Sequence, residues 1–223
     1  MRVNQAAGDD GFTLVELVMA VAILGVVMVA LTGVVLQHLK VTAATEARLN
    51  ESSDQQLVSA YWQGDVSSLG VRTPVDATDP LSPRQSVWTG GTGPGSVPPD
   101  CGSGLVGDLV IGFAWNVYPV GAADPLDAWD ASLEAAVYVT EQVGGQYLLS
   151  RVRCHGASTE RHVVARHLRA APTVACADAA GSPVGCAAAT PPRTLAITLD
   201  VRDADGTGTG GYTATLTAQR RQA

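Results

Sequence analysis

Four sets of side chains in this 223-residue chain have the types and spacing to do chemistry. The first is a single carboxylate. From Phe12 to Leu36 the chain is apolar, and Glu16 is its only ionisable residue. A charge placed in such a run is costly to bury and calls for a specific partner. The rival reading is that Glu16 merely reaches back to the headgroups near the start of a membrane helix. The second set is Cys101, Cys154, Cys176 and Cys186, all downstream of the apolar run. Four cysteines allow three disulfide pairings. Cys176 and Cys186 enclose a short segment with Gly181, Pro183 and Gly185, which favours that pair and leaves Cys101 for Cys154. Zinc is the competitor, because His155, His162 and His167 lie close by, but no Cys-x-x-Cys pair is present and the spacing suits no common zinc module. The third set is Asp200, Asp203 and Asp205. No acid follows Asp205 to close a calcium loop, so a solvated Asp-Gly turn is expected there. The fourth is Arg161, Arg166 and Arg169 with His162 and His167, expected to form a charged exposed face. No Ser/His/Asp or Cys/His spacing supports nucleophilic catalysis, and the Gly90–Gly95 cluster lacks the Lys-Ser/Thr of a phosphate-binding loop. The chain is expected to be no enzyme and to hold no cofactor or metal.

The elements that must position these residues follow from the pattern. At about 1.5 Å per residue, a helix over residues 12–36 is long enough to cross a hydrocarbon core of about 30 Å. Residues 37–69 continue as an amphipathic helix, with Leu36, Leu39, Ala43 and Ala47, then Leu57, Val58, Tyr61 and Trp62, at helical steps. Gly25 and Gly33 inside the span fit close helix approach or local melting, or only the general frequency of glycine in membrane helices. Residues 70–107 are rich in Gly and Pro and read as a long loop with one short strand near Gln85–Thr89. Residues 108–223 read as an extracytoplasmic β-sheet domain. Strands are predicted over Asp108–Val117, Ala135–Gln142, Gln146–Cys154, Arg193–Arg202 and Gly211–Arg221. Val143-Gly144-Gly145 forms a hairpin turn between the second and third, and His162–Leu168 is a strand or a turn of helix. The fold class is α+β: one long helix packed on an antiparallel sheet. A net charge of −7 excludes a generally basic nucleic-acid binder, and the apolar run is too long for an ordinary secretory signal.

Gly11-Phe12-Thr13-Leu14-Val15-Glu16 at the head of an apolar helix resembles the N-terminal signal of type IV pilins and pseudopilins. The resemblance implies cleavage by a prepilin peptidase after Gly11, removing the leader 1–11, and N-methylation of Phe12. Glycine before the scissile bond suits a protease site where a Cβ would clash. Glu16, then the fifth residue, would meet the new Phe12 amine of a neighbouring subunit during assembly. The leader departs from many relatives in carrying one basic residue, Arg2, against Asp9 and Asp10. Val137-Tyr138-Val139-Thr140 and Gly144 to Cys154 are similar to a strand pair of larger minor pseudopilins and of PilW/PulJ-like minor pilins of actinobacteria. The family implies a pilin-like fold, a cytoplasmic N-terminus, membrane lipid around the helix, and an external domain on a filament or at the cell surface. It implies as partners the peptidase, other pilin or pseudopilin subunits and an inner-membrane assembly platform, with DNA only in a competence pilus. A type IV pilus and a type II secretion-like filament are both open. So is a different class: a single-span, membrane-anchored extracellular binding domain that never enters a filament.

Overall fold

A run of 55 residues without proline forms helix α1, Leu14–Ser68. The computed structural model describes residues 13–73, 82–90, 97–98, 101, 105–117, 133–156, 158–188, 190–202 and 211–221. The chain divides into two units, Met1–Glu46 and Ala47–Ala223, and α1 contributes residues to both.

In the first unit the helix is bare. Residues Leu14–Ala43 are long and apolar enough to cross a membrane, and none of the most apolar stretch is buried. The large apolar side chains from Leu14 to Leu36 are 46–78% exposed. Its threonines satisfy their hydroxyls within the helix: Thr32 Oγ1 donates to the Met28 carbonyl at 2.8 Å, and Thr42 Oγ1 to that of His38 at 2.9 Å. Such back-bonding leaves no unpaired hydroxyl donor facing an apolar surround.

In the second unit α1 lays Val58, Trp62 and Val66, followed by Leu69, against a sheet, all fully buried. Their spacing of four, four and three residues is one helical stripe. The stripe starts later than the sequence pattern indicates. Leu57 is 40% exposed, and Leu36 and Leu39 are exposed too.

The strands are β1 (Val71–Thr73), β2 (Ser82–Arg84), β3 (Val87–Trp88), β4 (Asp108–Asn116), β5 (Leu133–Val143), β6 (Gln146–His155), β7 (Ser158–Leu168), β8 (Thr173–Ala177), β9 (Pro183–Val184), β10 (Thr194–Arg202) and β11 (Gly211–Gln219). β1 and β2 pair by themselves, so the 70–107 region carries more strand than its composition indicates. The other strands form an antiparallel sheet in the order β3-β4-β5-β6-β7-β10-β8-β9. β11 lies along the whole of one side of β10, so β7 and β8 share the other. Gly144 and Gly145, with φ of 59° and 78°, make the two-residue turn between β5 and β6, a conformation that glycine adopts without strain.

The central strands are buried on both faces. Phe113, Tyr138 and Leu149 point to the helix side, where Trp62 meets Phe113 and Tyr138 edge-on at centroid distances of 5.3 and 5.5 Å. Val137, Val139, Val152 and Cys154 point the other way, under Trp88 and Cys101. Gly112 is needed in β4 for this second layer: an added Cβ would meet the Pro98 ring at 2.9 Å. The Cys101–Cys154 disulfide fastens that layer to β6, and Cys176–Cys186 closes the β8–β9 hairpin.

Candidate functional site

Thr13 starts the helix by capping it. The Glu16 N–H donates to Thr13 Oγ1 at 3.3 Å and the Leu17 N–H to the Thr13 carbonyl at 3.2 Å. The Thr-x-x-Glu spacing is that of a capping box, which satisfies helix N–H groups that otherwise have no partner. Glu16 lies in the first turn and is exposed, at the end of the helix dipole that favours a negative charge. Gly11 and Phe12 lie outside the described residues, which begin with this cap. Thr13 is a residue the reading for function passed over, although the signal, a threonine three places before a glutamate at the head of an apolar run, stands in the sequence.

A second arrangement fixes α1 to the sheet within the second unit. Asp65, 4% exposed, lies on the buried side of the helix and faces Arg151 of β6, 7% exposed. Arg151 donates Nε to Asp65 Oδ2 at 2.7 Å and Nη2 to Oδ1 at 2.6 Å, a two-pronged pairing. Tyr138 of β5 donates its hydroxyl to Asp65 Oδ2 at 2.8 Å, and the Arg151 guanidinium also covers the Tyr61 ring at 4.8 Å. Burial, then the charge and hydrogen bond of Asp65, push the Tyr138 hydroxyl well above its usual pKa. Burial alone would lower the Arg151 pKa, but the hydrogen bonds and charge of Asp65 outweigh it and raise it. The tyrosine therefore stays a donor and the arginine stays charged. The sequence reading missed all three residues. The visible signs were an acid inside the helical stripe of Val58, Trp62 and Leu69, and an arginine two places after the inward-facing Leu149.

The remaining candidates are dispersed. All four cysteines are in disulfides, so no thiolate is available to a metal. His155 faces Glu134 at 3.5 Å and His162 faces Glu160 at 2.9 Å. Among the described residues no group of three potential metal ligands occurs. The basic cluster on β7 and just after it is distributed over separate acids. Arg161 pairs with Glu141, His167 approaches Asp54 at 3.9 Å, and Arg169 approaches Asp200 at 3.7 Å. β7 is a full strand of 11 residues, which turns alternate members of that cluster to opposite faces. Asp203 and Asp205 lie outside the described residues.

Residues 8–32 match the family model for the prokaryotic N-terminal methylation motif. No curated protein matches the chain. Among solved structures, a chain of the crystal structure of the GspK-GspI-GspJ complex from the enterotoxigenic Escherichia coli type 2 secretion system is similar at 14% identity. The alignment covers 76% of this chain and 97% of that chain, with a TM-score of 0.37, too low to carry a conclusion.

Proposed function

We propose that this chain, which carries the N-terminal methylation signal of type IV pilins and pseudopilins, is a minor pilin or pseudopilin. It acts as a structural subunit of a type IV pilus or a type II secretion-like filament. Prepilin peptidase cuts after Gly11 on the cytoplasmic side, and the new Phe12 amine is methylated. The helix anchors the subunit in the membrane, with the sheet domain outside, until the assembly platform moves it into the filament.

The observation that carries this reading is the matched motif at the head of an apolar helix that finds no cover in its own unit. A bare apolar helix needs either lipid or other helices around it. Gly25 and Gly33 fit the second state, since a residue without a side chain lets a neighbouring helix approach closely. In a staggered array, the Glu16 carboxylate of one subunit meets the Phe12 amine of the next. At about 4 Å and an effective dielectric constant of about 20, such a pair attracts by about 4 kcal/mol, enough to select one axial register.

Intact mass and N-terminal sequencing of the membrane-extracted protein, with and without the peptidase, test the reading. A peptidase-dependent chain starting at Phe12 and about 14 Da heavier than its unmodified mass is expected. A chain still starting at Met1 in cells with active peptidase refutes it and leaves a membrane-anchored domain outside any filament.

A further inference from the structure

The turn that follows β8, Val184 of β9, the segment before β10 and the ends of β10 and β11 surround a cleft of about 1070 Å³. Its walls are tied in place. Cys176–Cys186 closes the loop on one side, and Asp178 Oδ1 accepts the N–H groups of Ala180 at 2.9 Å and Ser182 at 2.8 Å. On the other side Pro191 and Pro192 are buried, the Arg193 N–H donates to the Ala177 carbonyl at 2.9 Å, and the Arg220 N–H donates to that of Arg193 at 2.9 Å. These bonds hold the arginines as neighbours, and both line the cleft.

Four arginines of the domain, Arg151, Arg153, Arg161 and Arg169, are matched by acids. Among the described residues, Arg193 and Arg220 face none within ion-pair distance, in a chain where acids outnumber bases by 21 to 14. Arg220 Nε is enclosed by protein and has no hydrogen-bond partner among the described residues. Burial, then the nearby charges of Arg193 and Arg72, lowers the Arg220 pKa, because both disfavour its charged form. Among the described residues Asp178 is the one acid in the lining, and its Oδ1 is engaged by the turn.

We propose that the Arg193–Arg220 cleft docks an extended acidic peptide segment of a partner protein, with a carboxylate held by the two guanidinium groups. Three features favour that occupant. The guanidinium fork matches a carboxylate in geometry and charge. The other walls are small and aliphatic, including Ala180, Val184, Ala188 and Pro192, with no aromatic platform for a nucleobase among the described residues. The space exceeds what a lone inorganic anion fills and suits several residues of chain. β11 supplies a fitting approach: among the described residues its side away from β10 pairs with no strand, and its last residue, Gln219, lines the cleft. An exposed edge of this kind accepts an extended segment through main-chain hydrogen bonds. Binding at this cleft requires neither cleavage after Gly11 nor entry into a filament.

Fluorescence anisotropy on the full chain in neutral detergent micelles tests it. The probes are a short labelled peptide of alternating alanine and glutamate and its alanine–glutamine counterpart. The acidic probe is expected to bind at least about tenfold tighter than the neutral one. Arg193→Gln alone weakens it about tenfold, and Arg193→Gln with Arg220→Gln removes it, while Arg153→Gln leaves it unchanged. The single variant keeps the test intact if the double variant does not fold, which thermal unfolding reports. Absence of binding by the acidic probe overturns the proposal, as does binding that survives in a folded double variant. Complete displacement by inorganic phosphate at an equal concentration of charge also overturns it, by reducing the cleft to a simple anion site.

Discussion

Removing Arg151 tests whether the buried polar network holds α1 on the sheet. In Arg151→Met the Asp65 carboxylate loses two of its three hydrogen bonds, those from Nε and Nη2, and keeps the one from Tyr138. It also loses the neutralising charge at a position only 4% exposed. Stranding one partner of a buried pair costs about 3–5 kcal/mol. For a unit of this size, about 1 kcal/mol shifts the midpoint by about 2–4 °C, so the loss is about 6–20 °C. Replacing the whole network tells a different story. In Asp65→Leu with Arg151→Met and Tyr138→Phe no polar group is stranded, and stability returns to within about 1–2 kcal/mol of the original. Urea and thermal unfolding of the full, oxidised chain in neutral detergent measure this. Near-ultraviolet circular dichroism is a suitable signal, because Trp62 meets Tyr138 edge-on beside the network. An Arg151→Met variant within about 1 kcal/mol of the original refutes the reasoning. So does a triple variant as unstable as Arg151→Met, since the cost would then lie in lost packing and not in the stranded charge.

The raised pKa of Tyr138 predicts an alkaline limit. The folded state keeps that proton where the unfolded tyrosine, with its ordinary value near 10, releases it. The contribution is therefore complete below about pH 10 and declines as pH rises toward the folded value, by up to about 1.4 kcal/mol per unit. Tyr138→Phe removes that slope, and urea titrations at stepped pH would expose an unchanged slope as an error in the assignment. Gly112→Ala forces a Cβ to within 2.9 Å of Pro98 and 3.0 Å of Val137, and is expected to cost about 1–3 kcal/mol by overpacking. A melting point equal to that of the original protein contradicts it. Loss of Cys101–Cys154, which spans 53 residues, is expected to cost about 4 kcal/mol, and loss of Cys176–Cys186, which spans 10, about 3 kcal/mol. Unfolding of the two paired Cys→Ser variants checks the order. Glu16→Ala is expected to leave cleavage at Gly11 intact and to remove the subunit from sheared filaments; normal incorporation would contradict the pairing with the Phe12 amine.

What could be read without the structure was local. The methylation motif, the apolar span and the helix through Ser68 rest on contiguous residues and a single period, and no proline interrupts them. β10 and β11 were legible because one face is buried and the other is not, so Leu195, Ile197, Leu199 and Val201 alternate with more exposed neighbours. β4 and β5 read as continuous apolar runs because both faces are covered, which marks them as strands without saying what lies on either side. β1, β2 and β9 have two or three residues each, too few to carry a period, and they exist through the partners beside them. β7 alternates charged residues where neighbouring acids, and not burial, accommodate them, so its length was hidden.

The sequence by itself determined the N-terminal signal and the α+β class, because helix caps, apolar length and strand alternation are interactions between near neighbours. Tertiary structure alone decided that Asp65 and Arg151, 86 residues apart, share a buried pairing, and that Arg193 and Arg220 line one cleft. A charged side chain looks the same in sequence whether it meets water, a partner or an empty cleft. Its desolvation and its counter-charge are fixed only when distant strands close around it.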